Sequence, residues 1–242
     1  MQKVLLYKDF VMAESLIEQN QKNKKNNLKE LQVKSASRVR EHGEVLTARR
    51  EVEAMLDLVK NESERIDSRF LEPACGDGNF LVAILERKLK TVASKYRGKK
   101  ADFEVQMISA LGSIYGIDLL EDNVELAQER MFEIACNCYK ESLKVNPDED
   151  FKNIIKFVLK KNILQGDSLN GIDKIVFTQW SLIGYQVQRE EYSFSQMNQE
   201  AEIMNTPLFS ALQNEKGEDV FMPNPIKTYP LVNYRKLVEE IE

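Results

Sequence analysis

Between Arg69 and Ser168 the chain alternates two patterns. Short apolar runs end in small or acidic residues, and longer stretches between them repeat apolar positions at helical spacing. The first run, from Phe70 to Glu72, passes through Pro73, Ala74, Cys75, Gly76, Asp77 and Gly78 into a stretch with Leu81, Ile84, Leu85 and Leu89 on one face. This predicts a strand, a glycine turn, and a helix reaching about Lys95. Residues 103–111 predict a short helix. The run from Ser113 to Asp118 predicts a second strand, and Asp122-Asn123 opens a long helix carrying Val124, Leu126, Ala127, Met131, Ile134 and Ala135. A helix over 151–159 and a third strand and turn from Asn162 to Ser168 follow. Lys174 to Trp180 predicts a fourth strand. Strands alternating with helices imply a parallel sheet with right-handed crossovers, a Rossmann-like α/β fold.

The flanks read differently. Residues 9–34 are polar and rich in lysine and asparagine, with apolar positions at Phe10, Val11, Leu16, Ile17, Leu28 and Leu31. They predict a helix, with a break near Asn26-Asn27, whose Lys22, Lys24, Lys25 and Lys29 form a solvated face, a phosphate contact being the alternative. Thr47 stands as the N-cap of a helix with Val52, Met55, Leu56 and Val59 on one side. Residues 61–68 form a polar link. Past residue 184 the periodicity fades and Pro207, Pro223, Pro225 and Pro230 punctuate the chain. The expected organisation is a helical extension over 1–60, a Rossmann-like domain over 61–183 that is incomplete on its C-terminal side, and an irregular tail over 184–242 with a short helix near 232–241.

The 242 residues, 43% hydrophobic and 30% charged, suit a globular chain with one sizeable core. A net charge of −5 provides no overall basic field for nucleic acid. Cys75, Cys136 and Cys138 lack the count of a disulfide framework and the spacing of a metal site, so reduced thiols and no metal are expected. The N-terminus lacks a signal-type apolar core and no run reaches membrane-spanning length, which points to the cytoplasm.

The chemistry gathers at three strand ends. In an open parallel sheet ligands sit at the carboxyl ends of the strands. Gly76 and Gly78 lack a Cβ, so the backbone there turns tightly and approaches a ligand closely. Asp118 is placed to accept from a ribose diol and Asp167 from an exocyclic amine, with capping of its own turn as the alternative for each. The glycine spacing is not that of a dinucleotide cradle, because position 81 is Leu. Glu72 beside the turn repels a pyrophosphate and suits a ligand with an amino group.

The segment from Phe70 to Phe80, Phe-Leu-Glu-Pro-Ala-Cys-Gly-Asp-Gly-Asn-Phe, resembles the S-adenosylmethionine motif of the adenine-N6 DNA methyltransferases of restriction–modification systems. Tyr115 to Asp118 resembles their second motif, Asn162 to Ser168 their third, and Glu41 to Thr47 their upstream motif, covering residues 38–170 in the family's order. The resemblance implies S-adenosyl-L-methionine as cofactor. Glu72 would face its methionine amino group, and Pro73, Ala74, Gly76 and Gly78 would pack beside its methionine and ribose. Asn79 and Phe80 would start the helix beneath it, Asp118 would hold the ribose, and Leu119 would lie beside the adenine. Asp167 and Ser168 would meet the adenine amine, and Thr47 would close over the methionine end. Ala48 stands where the family often has proline.

The family's Asn-Pro-Pro-aromatic catalytic motif is not found, so no catalytic residue is assigned. Asn146-Pro147 and Asn224-Pro225 are the only Asn-Pro pairs, and neither follows an apolar strand. Thr178 to Ser181, with an amide at Gln179 and a stacking ring at Trp180, is the one positional substitute. His42, the only histidine, reads as a motif or surface residue. The expectation is a methyl-donor-binding protein, short or split. Its DNA contact would be direct or through a second chain carrying the catalytic and DNA-recognition parts. An inactive interaction protein and an active enzyme with an atypical acceptor loop are the alternatives.

Overall fold

The computed structural model describes residues 47–195 and 224–239, together with Arg38 and Arg40. The chain divides into two units, residues 1–48 and 49–242. In the first, Arg38 and Arg40 are helical. The predicted helix over 9–34, its lysine run, and His42 lie outside the described residues.

The second unit opens with α1 (Arg49–Leu58) and the short α2 (Lys60–Glu64). Residues 61–68, read as a link, thus begin within a helix. Ala48, not Thr47, directly precedes α1. Of the predicted apolar face, Val52 and Leu56 are buried, whereas Met55 and Val59 are exposed. The alternation then follows as β1 (Phe70–Glu72), α3 (Asn79–Tyr96), α4 (Lys100–Gly112), β2 (Ile114–Asp118), α5 (Glu121–Leu143), α6 (Glu149–Asn162) and β3 (Ile163–Gln165). On α5 the buried residues Val124, Ala127, Met131, Ala135 and Tyr139 recur at helical spacing. Helix α6 is capped by Asp148, whose carboxylate accepts the Phe151 N–H at 2.9 Å. Glu149 and Asp150 sit at its positive end and Lys160 and Lys161 at its negative end.

The three strands form a parallel sheet in the order β1–β2–β3, flanked by helices and compatible with a Rossmann-like fold. Ile114 faces the main helical core, while Tyr115 and Ile117 face a second cluster. That cluster is completed by Ile175, Phe177 and Phe194, with Phe177 edge-on to Tyr115 at 5.4 Å and to Phe194 at 5.1 Å.

The structure corrects the C-terminal expectations. The predicted fourth strand does not join the parallel sheet. Val176–Ile183 (β4) pairs antiparallel with Gln186–Ser193 (β5) in a separate sheet. Gly184 and Tyr185 form the turn, and Gly184 takes a φ of +62°, the conformation a two-residue hairpin loop asks of its first residue. Strand β5 lies where an irregular tail was expected. Its edge also receives β6 (Lys227–Thr228) and β7 (Val232–Asn233). Instead of a terminal helix, a 3-10 turn spans Tyr234–Lys236. It is held by Glu104, which is fully buried and accepts from Tyr139 at 2.7 Å, Tyr234 at 2.8 Å and Arg235.

Among the described residues, no helix is long and apolar enough to cross a membrane and no cluster of side chains could hold a metal ion. The three cysteines are free thiols.

Candidate functional site: the carboxyl edge of the parallel sheet

The ends of β1, β2 and β3 meet at one edge, and backbone groups tie them together. The Cys75 N–H donates to the Ile117 carbonyl at 2.9 Å, and the Gly166 N–H donates to the Asp118 carbonyl at 2.9 Å. The Gly76 N–H donates to Asp118 Oδ2 at 2.8 Å. The fold therefore brings together the turn from Glu72 to Phe80, Asp118 with Leu119, and the loop from Gln165 to Ser168. Thr47 belongs to the first unit.

Gly78 sets the turn's shape. Its φ of +86° is a left-handed conformation, and a Cβ there would come within 2.8 Å of Ala127 Cβ on α5. A side chain is thus excluded twice, by conformation and by space. Gly78 caps α3 without a side-chain hydrogen bond. Cys75 is buried beneath the turn, and burial pushes its thiol well above the ordinary range. Pro73 and Ala74 lie exposed on the outer side.

The acidic residues divide into used and available. Asp118 Oδ1 accepts the Leu120 N–H at 2.9 Å and the Asn123 side-chain amide at 3.0 Å. With the Gly76 bond, three of about four acceptor positions are filled. The capping role and the site role coincide in this one carboxylate. Asp167 accepts the N–H groups of Leu169 and Asn170, both at 2.9 Å, and the Asn170 amide at 3.3 Å. These bonds hold its carboxyl below the ordinary range. Asp167 is thus the hinge of an Asx-type turn, with Ser168 inside it. Glu72 differs. Partial burial raises its carboxyl above the ordinary range, opposed only by a backbone hydrogen bond from Ala74. It is the acid at this edge that a cationic group would relieve. Leu119 is 53% exposed, and the Gln165 amide donates to its carbonyl at 3.3 Å.

Two residues on α5 shape the turn: Arg130, not singled out in the sequence, and Asn123, expected there only as a helix start. The Arg130 guanidinium donates to the Asp77 carbonyl at 2.6 Å and to Asn79 Oδ1 at 2.9 Å, and it pairs with Asp77 Oδ2 at 3.0 Å. Asn123 is buried and orients Asp118. Asn123, Ala127 and Arg130 lie on one helical face. A polar pair flanking a small residue on an otherwise apolar face was the available signal. Asp77 Oδ1 is buried with no hydrogen-bond partner.

The acceptor-loop substitute is overturned. Thr178 to Ser181 lies in the middle of β4, not in a loop after a parallel strand. Trp180 is buried, packs edge-on to Phe157 at 5.9 Å, and donates its indole N–H to Asn162 Oδ1 at 2.8 Å. It also lies over Gly112, just ahead of the amino end of β2 and so at the opposite end of the sheet. A cavity of about 280 Å³ lined by Asp67, Arg69, Ser109 and Trp180 is at that end too. Asn146-Pro147 joins α5 to α6, and Asn224-Pro225 leads into β6.

Comparison with protein-family models, curated proteins and solved structures gives no match to this chain.

Proposed function

We propose that this chain binds S-adenosyl-L-methionine as a short or split form of the adenine-N6 DNA methyltransferase type, completed for methyl transfer by a second chain. The observation that carries the reading is the meeting of the glycine turn, Asp118 and the Gly166-Asp167-Ser168 loop at one sheet edge, joined through both the carboxylate and the carbonyl of Asp118. The residues fit the cofactor chemically. Glu72 has a raised pKa and suits an ammonium. Asp118 keeps one acceptor position for a ribose hydroxyl. Leu119 presents an exposed apolar face to an adenine ring. Asp167 meets an exocyclic amine only by sharing an oxygen already used in its turn. Ser168, Pro73, Ala74, Asn79, Phe80 and Thr47 stay assigned through the resemblance alone. The cofactor, when bound, supplies an activated methyl group. Nothing at this edge supplies the acceptor half of the reaction.

The same occupied carboxylates favour a second reading, a cofactor fold retained for stability in an interaction protein. Isothermal titration with S-adenosylmethionine and S-adenosylhomocysteine separates the two. The first reading expects binding that Asp118→Ala weakens by about 1–3 kcal/mol, the cost of unpaired polar groups. No heat of binding at millimolar cofactor establishes the second.

A further inference from the structure

The glycine turn is restrained by a side chain from another element. Gly76 and Gly78 both take left-handed conformations, with φ of +53° and +86°. Glycine gives up more freedom on being fixed than any other residue, so a turn built on two of them needs outside support to keep one form. The Gly76 N–H is taken by Asp118, and the Gly78 N–H donates to the Cys75 carbonyl at 2.9 Å. Asp77 stands between them, and its restraint comes from Arg130 on α5. Among the described residues Arg130 is the one cation paired with the Asp77 carboxylate.

The guanidinium spans three oxygens. It reaches the Asp77 carbonyl at 2.6 Å, Asn79 Oδ1 at 2.9 Å and Asp77 Oδ2 at 3.0 Å. A planar fork of fixed donors suits such a set, and a single ammonium does not. The fork ties the turn to Asn79, the first residue of α3. Arg130 shares its helical face with Ala127, which bars a side chain at position 78, and with Asn123, which orients Asp118. One face of α5 thus sets both the glycine turn and the acid it is bonded to.

We propose that Arg130 is a positioning residue for the cofactor: it acts through Asp77 and Asn79, holding the glycine turn in the form that binds. The inference rests on the S-adenosyl-L-methionine reading of this edge. A turn that keeps its competent form only about a tenth of the time binds about tenfold more weakly, so affinity reports the positioning directly.

Titration calorimetry on the full chain tests this, with S-adenosylhomocysteine as the probe and at a temperature where urea melts show each variant folded. Arg130→Met is expected to raise Kd about tenfold. Arg130→Lys keeps the charge without the fork and is expected to raise Kd nearly as much. Asp77→Asn is expected to weaken binding too, and the double variant to bind no more weakly than Arg130→Met, because both changes act on one turn. A merely structural role would lower the urea midpoint and leave the Kd of the folded chain unchanged, and that result overturns the proposal. Full affinity in Arg130→Lys, or losses that add in the double variant, overturns it as well. If Arg130→Met does not fold, Arg130→Lys and Asp77→Asn decide. No binding by the wild-type chain would defeat the cofactor reading itself, and this inference with it.

Discussion

Asp118 receives the Gly76 and Leu120 N–H groups and the Asn123 amide, so one carboxylate closes the glycine turn and starts α5 together. Asp118→Asn presents an amide where one of these donors now finds an oxygen. We expect a loss of about 1–3 kcal/mol in urea unfolding, since a buried donor would lose its acceptor. Lys88 is the other residue whose surroundings decide its chemistry. It is fully buried, and its ammonium reaches the Ile66 carbonyl at 3.1 Å, Ser113 Oγ at 2.8 Å and the Ser68 carbonyl, with no carboxylate. Burial pulls its pKa from 10.5 down to about 7. Between those values the unfolded chain binds the proton more readily than the folded one, so this residue makes stability rise with pH across that window. Below about 7 both states are protonated and the contribution is level. Urea melts at pH 7 and pH 9 are expected to show a rise that Lys88→Met reduces.

At the scale of elements, stability concentrates where a side chain serves two of them. Asp148 caps α6 and also takes Arg235 from the C-terminal turn at 2.8 Å. Asp148→Ala is expected to cost about 0.5–2 kcal/mol for the cap, measured by urea unfolding, because the exposed ion pair adds little. Trp180→Phe keeps the ring but leaves buried Asn162 Oδ1 without its donor. A cost of about 1–3 kcal/mol is expected from the same measurement. The helices and parallel strands were legible because their apolar periods are local: Leu81, Leu85 and Leu89, or Val124, Ala127 and Met131, declare a buried face unaided. The strand ends that meet at the candidate site were legible for the same reason, since Gly76, Gly78, Asp118 and Asp167 each follow a short apolar run. β4 was placed in the wrong sheet because an apolar run does not state its partner, and Phe177 packs on Tyr115 across a face instead of pairing beside it. β5 was missed because its sequence, Gln-Val-Gln-Arg-Glu-Glu-Tyr-Ser, is mostly polar. Only Val187 and Arg189 on it are buried, and Arg189 enters by stacking on aromatic rings that sequence spacing does not reveal.

For the whole molecule, the decisive feature is that, among the described residues, β1 is an edge strand. Ligand crevices in open parallel sheets form where strands leave to both sides of a switch point. Here β2 and β3 lie on one side of β1, and among the described residues no strand lies on the other. β2 is buried along most of its length while β1 is only half-buried throughout, as expected of a strand with one unpaired flank. Among the described residues the glycine turn, Asp118 and the Asp167 loop thus gather at the carboxyl edge with no strand beyond β1. On the proposed split reading, this chain would hold the cofactor and another chain would supply the acceptor side. The purified chain, incubated with methyl-labelled S-adenosylmethionine and unmethylated DNA, is therefore expected to bind the cofactor yet transfer no label above background. Adding a cell extract that supplies the second chain should restore transfer, and restoration should fail with Asp118→Ala. Robust transfer by the chain alone would instead show that it contains its own acceptor loop, and would sink the split reading while leaving cofactor binding intact.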